Sequence, residues 1–149
     1  MWAGSFEQEC RARGIRLTAQ RLAIYRAVAS DTGHAGAEAV YRRIRPRMPS
    51  MSLATVYRAL EFLVAEGLIR RLGATAEIGR YDARIEPHQH AVCRVCRQII
   101  DLDAGTLPDV PVPAAPAPGF RVESIDLRIV GICGNCLRRP PFKGGKRRP

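Results

Sequence analysis

Two C-x-x-C pairs, CRVC at Cys93 and Cys96 and CGNC at Cys133 and Cys136, constrain this chain more than any other feature. A two-residue spacer lets both thiolates of a knuckle face one ion, and two knuckles complete the four-sulfur shell that Zn2+ prefers. A redox pair of the thioredoxin type would need a βαβ pattern, and neither pair has one around it. The 36 residues between the knuckles exceed the usual spacing of a zinc ribbon, so the knuckles are expected to join two ends of one small sheet. Cys10, the fifth cysteine, falls on an early helix and reads as a half-buried thiol rather than a ligand.

A length of 149 residues suits one domain or two small ones, and 46% apolar with 26% charged residues is ordinary for a globular chain. No run approaches the roughly 18 apolar residues of a membrane helix, and MWAGSFEQECRAR lacks the apolar core of a secretory signal. The expectation is a soluble cytoplasmic protein with no membrane partner. The net charge of +10 is unevenly spread. Residues 1–72 carry 12 basic and 6 acidic side chains, residues 73–136 carry 6 and 8, and residues 137–149 carry 6 basic and none acidic. Solubility alone accounts for a positive total; the asymmetry points to an anion-binding module joined to something else.

The N-terminal half reads as helices ending in a two-stranded wing. An amphipathic stretch from Phe6 to Arg13 stops at Gly14, and Thr18 is an N-cap candidate for a second helix, TAQRLAIYRAVA. GAEAVYRRIRPRMP gives a third, ended by Pro46 and Pro49, and SLATVYRALEFLVAEG a fourth, with Leu53, Val56, Leu60 and Leu63 as its apolar stripe. LIRRL and GRYDA, joined by GATAEIG, form a hairpin. Helices followed by such a hairpin describe a winged helix. Its last helix would enter the major groove of double-stranded DNA, presenting Ser52, Thr55, Tyr57 and Arg58, while Arg16, Arg70 and Arg71 contact backbone or minor groove.

The three histidines are His34, His88 and His90. In EPHQHAVC the i, i+2 spacing puts both imidazoles on one strand face, close in sequence to Asp82, Asp101 and Asp103. Such a mixed nitrogen and oxygen set suits Fe2+, Mn2+, Zn2+ or Ni2+. Spacing alone does not bring His34 to it.

Together these segments resemble the ferric uptake regulator (Fur) family of metal-responsive, homodimeric repressors. The resemblance runs over about residues 7–137 and rests on GIRLTAQRLAIY, HAGAEAVYRRI, SLATVYRALEFLVAEGLI, RYD, HQHAVCRVC, QIIDL and GFRVESIDLRIVGICGNC. It implies an α+β fold: an N-terminal winged helix-turn-helix (1–83) that binds an AT-rich palindromic operator, a small α/β dimerisation domain (84–137) with a four-cysteine zinc site, and a basic disordered tail (138–149). Cys93, Cys96, Cys133 and Cys136 match the structural Zn2+ ligands. His34, Asp82, His88, His90 and Asp101 match the regulatory site for Fe2+ or Mn2+. Arg16 matches the minor-groove residue, and Thr55, Tyr57 and Arg58 the recognition-helix contacts.

Aspartate at both carboxylate positions is similar to the peroxide-sensing (PerR-like) branch, where Fe-dependent chemistry with H2O2 oxidises a ligand imidazole; His34 and His88 are the matching targets. The alternative is control of iron, zinc, manganese or nickel uptake. A non-haem enzyme using His88, His90 and Asp101, or a metal-storage protein, is a remote rival, and no small organic substrate is expected. Three departures stand out. Pro87, Gln89 and Ile125 replace the family's accessory metal ligands, so two metals per chain are expected. Gln20 replaces a proline before Arg21. GTLPDVPVPAAPAPG (105–119) is too proline-rich for the usual dimer-face helix and reads as extended, shifting dimerisation onto the sheet.

Overall fold

Hydroxyl caps start two of the helices. Thr18, in extended conformation, accepts a hydrogen bond from the Arg21 N–H at 3.2 Å and opens α2 (Ala19–Ala29); Ser52 does the same for Thr55 at 3.1 Å and opens α4 (Leu53–Ala65). Ahead of them lies α1 (Ala3–Ala12), and between them α3 (Ala37–Ile44). Helix α1 starts earlier than the apolar pattern predicts, while α3 ends two residues short of Pro46, whose ring bars continuation. Gly14 and Gly67 close α1 and α4 at φ near +65°, a conformation costly for any residue with a Cβ.

The computed structural model describes residues 3–72, 79–86, 88–103, 105–106, 111, 116–122 and 127–139. The chain divides into two units, Met1–Glu86 and Pro87–Pro149. In the first, the inner faces of α2, α3 and α4 supply Ile24, Val28, Val40, Val56, Leu60 and Leu63 to one core, joined by Phe6 and Cys10 from α1. Phe6 stacks on Tyr25 with ring centroids 3.6 Å apart. Cys10 is fully buried rather than half-buried, since α1 packs down on the other helices. After α4 the wing forms from β1 (Arg70–Leu72) and β2 (Arg80–Asp82), antiparallel with Arg71 opposite Tyr81. This is a winged helix-turn-helix. The connection at 73–78 lies outside the described residues.

The second unit holds a three-stranded sheet in the order β4-β3-β5: β3 (Gln89–Cys93), β4 (Ile99–Leu102) and β5 (Arg128–Gly131). β3 pairs antiparallel with β4 and parallel with β5. A four-residue helix, α5 (Gly134–Leu137), follows. Of the FRVESIDLRIVGI stretch (120–132), the described residues 128–131 form β5, and 123–126 lie outside the described residues. The expectation of an extended proline-rich stretch is corrected at 116–119, which bend and turn, with the Phe120 N–H bonded to the Ala117 carbonyl at 3.1 Å and Gly119 at φ +74°. Most of 107–115, Pro87, Ile125 and the tail from 140 lie outside the described residues.

Candidate metal centres and nucleic-acid face

The last residue of β3 is Cys93, and the turn after it delivers Cys96. The Arg97 N–H closes that turn on the Cys93 carbonyl at 2.8 Å. On the neighbouring strand β5 ends at Gly131, the register partner of Cys93; two residues on, Cys133 begins α5, which carries Cys136 one turn later. The knuckles therefore hang from the same end of two adjacent parallel strands. They do not join two ends of the sheet, because a parallel partner brings its C-terminal end to the same side. One ligand atom from each of the four cysteines lies within 4.8 Å of the others, and Cys96 and Cys133 Sγ are 3.7 Å apart. Tetrahedral Zn–S bonds of about 2.3 Å require sulfurs about 3.8 Å apart, so the cage fits that ion.

The cage also sorts its protons. Backbone N–H groups of Cys96 and then Cys133 point at Cys93 and bring its thiol down to about 6; the second of these runs at 3.3 Å. Desolvation, followed by hydrogen bonding among the four sulfurs, pushes Cys136 up to about 12.

Imidazoles and carboxylates occur in both units. In the first, His34 sits in the turn between α2 and α3 and Asp82 ends β2, with Nδ1 and Oδ1 3.9 Å apart and both residues buried. The Tyr81 N–H to Ala35 carbonyl bond, at 3.2 Å, clips that turn to β2. In the second unit, Asp101 lies opposite His90 across the β3–β4 ladder. Its Oδ1 is 3.4 Å from His90 Nε2 and 3.6 Å from His88 Nε2. His88 precedes β3, yet its ring lies 4.5 Å from that of His90, as the i, i+2 spacing predicts. Asp103 lies past the end of β4 and is exposed. Borderline nitrogen and hard oxygen donors of this kind suit a divalent first-row ion.

On α4, Val56, Leu60 and Leu63 face inward, whereas Tyr57 and Arg58 are exposed and Thr55 is half-buried. Ser52, expected as a DNA contact, spends its hydroxyl on the cap and lies 2.9 Å from the Thr55 hydroxyl. Arg16 is exposed ahead of α2. Its carbonyl accepts from Arg21 Nη1 at 2.7 Å, and that guanidinium stacks 3.6 Å from the Phe62 ring centroid, tying the Arg16 loop to α4. Arg70 is exposed on the wing; Arg71, expected to contact DNA, is also exposed, pairs with Glu61 of α4 and reaches the Tyr81 hydroxyl. Sequence reasoning missed Glu38, Glu61 and Arg21, because single polar residues on a helix carry no periodic signal of their long-range partners.

A winged helix followed by a sheet unit with a four-thiol cage, both units carrying imidazole–carboxylate groups, defines a metal-responsive transcriptional regulator. The model of the ferric uptake regulator family matches residues 12–130, and the chain belongs to that family, whose members are transcriptional regulators and not enzymes. It is 33% identical over 126 residues to the peroxide operon regulator of Bacillus subtilis, covering 85% of this chain and 87% of that one. It is 38% identical over 119 residues to ferric uptake regulation protein 1 of Mycolicibacterium fortuitum, covering 78% and 73%. A zinc uptake regulator solved with zinc and DNA superposes with a TM-score of 0.68 at 25% identity, covering 91% of this chain and 92% of that one.

Proposed function

We propose that this regulator is a cytoplasmic homodimeric repressor that binds an AT-rich palindromic operator and senses hydrogen peroxide. In this reading Cys93, Cys96, Cys133 and Cys136 hold a structural Zn2+, and His34, Asp82, His88, His90 and Asp101 together hold one Fe2+ or Mn2+. Arg16, Ser52, Thr55, Tyr57 and Arg58 meet the DNA. Residues 1–83 bind DNA and 84–137 dimerise. The bound ion favours the DNA-competent state only by its differential affinity for it.

The observation that carries the peroxide reading is the short Asp101 carboxylate within 3.6 Å of both His88 and His90. A short carboxylate leaves coordination space that a longer glutamate would fill. Bound Fe2+ supplies the one-electron chemistry that activates H2O2. The side chains decide the target: an imidazole of His34 or His88 takes one oxygen, the other leaves as water, and the modified ring ceases to be a good ligand. Similarity to the Bacillus subtilis regulator supports this reading.

The second reading is metal-uptake control, favoured by the similarity to the mycobacterial ferric uptake protein. Anaerobic duplex binding with Fe2+ and with Mn2+, before and after one dose of H2O2, separates the two. Loss of binding in the iron form alone, with one oxygen added at His34 or His88, is expected; survival in both forms assigns uptake control. His88→Ala is expected to keep the fold and lose metal-dependent binding.

A further inference from the structure

His34 adopts φ +56°, a left-handed conformation that a residue with a Cβ rarely takes. Such a backbone persists only where its surroundings over-determine it. Here they do so from two sides. Asp31 Oδ1 accepts the Gly33 N–H at 2.8 Å, and the Asp31 carbonyl accepts the His34 N–H at 3.4 Å. Arg43, from α3, holds Asp31 in turn: Nη2 donates to Asp31 Oδ2 at 2.8 Å, while Nη1 donates to the Ala27 carbonyl at 2.9 Å and lies 3.3 Å from the Ser30 hydroxyl. Across the turn, Arg80 Nη1 donates to the Gly33 carbonyl at 2.9 Å and the His34 carbonyl at 3.4 Å.

We infer that Asp31 and Arg43 are positioning residues for the regulatory ion: they lock the His34 turn, and so aim its imidazole toward Asp82, before any ion arrives. The inference rests on the proposed role of His34 as a ligand. Asp31 and Arg43 need not touch the ion. They raise its affinity by removing the cost of ordering a strained turn on binding, as groups that orient metal ligands do. A guanidinium that merely braced α3 against α2 would affect unfolding and leave the metal affinity alone.

Mn2+ titration of the full-length, zinc-loaded protein tests this, with melting of the Mn2+-free form measured alongside. Asp31→Ala and Arg43→Gln are expected to weaken Mn2+ binding by roughly 10- to 100-fold at temperatures where both remain folded. Asp31→Asn, which keeps an acceptor for the Gly33 N–H but loses the one that Arg43 holds, is expected to recover only part of that loss. If Arg43→Gln does not fold, Asp31→Ala against Asp31→Asn decides. Wild-type Mn2+ affinity in Asp31→Ala, with His34→Ala abolishing binding, overturns the positioning role and leaves the site intact. Unchanged affinity in His34→Ala removes the site, and the inference with it.

Discussion

The hydroxyl of Tyr57, exposed on α4, donates a 2.5 Å hydrogen bond to the carboxylate of Glu38 on α3. A side chain proposed to read DNA is thereby tied to the neighbouring helix. Receiving the phenol proton, and then its own backbone N–H, lowers Glu38 below the ordinary carboxylate range. The same bond raises Tyr57 above the ordinary phenol range. The depressed group contributes above the unfolded carboxylate range, and its share is lost as pH falls through its lower folded value. The raised group contributes below the unfolded phenol range, and its share is lost as pH rises through its higher folded value. The pair thus spans neutral pH. Glu38→Ala and Tyr57→Phe should each lower operator selectivity about two- to tenfold, and the double variant no further. Additive losses in duplex titrations would show that the bond does not orient Tyr57.

Ser52 separates capping from recognition. Its Oγ satisfies the Thr55 N–H, so Ser52→Ala should cost about 1 kcal/mol in urea unfolding. Ser52→Asp should restore the cap and weaken binding by placing a negative charge near phosphate. Full duplex affinity in Ser52→Asp would place this helix end away from the DNA.

Zinc uptake by the thiol cage carries a proton count. Cys93, at about 6, is already a thiolate at pH 7.5, whereas Cys136, at about 12, is protonated. Relative to an unfolded thiol near 9.0, Cys93 favours the metal-free fold above that value, a contribution lost as pH falls through about 6. Cys136 favours it below 9.0, a contribution lost as pH rises through about 12. Calorimetry in buffers of different ionisation enthalpy should return fewer than four protons released per zinc at pH 7.5, because Cys93 has none left to give.

Cys93→Ala should abolish tight zinc binding and disrupt the sheet unit and the dimer, because the two knuckles join β3 to β5 through the ion. Metal analysis and sedimentation of the purified variant check this. A zinc-free dimer that unfolds cooperatively would contradict it.

Leu60 is fully buried on the inward face of α4. Leu60→Ala should destabilise the winged helix by about 2–5 kcal/mol while leaving base selectivity of the folded fraction unchanged. Denaturant curves and a binding assay at low temperature distinguish the two effects.

What the amino-acid sequence determined by itself lies in local spacing. A two-residue gap is enough to make a thiol knuckle, a hydroxyl before an apolar-periodic run is enough to cap α2 and α4, and i, i+2 is enough to bring His88 and His90 together. Each depends on geometry within one turn or one strand, which covalent connectivity nearly dictates. Tertiary structure decided the rest, because the partners are remote in the chain. The left-handed turn at His34 is gripped by Arg43 from α3 and Arg80 from β2. The pairing of Arg71 on the wing with Glu61 of α4 joins residues ten apart, a contact that no local pattern announces. The two knuckles share one end of the sheet because four-residue β5 pairs parallel to β3, a choice too short to leave a periodic trace in the sequence.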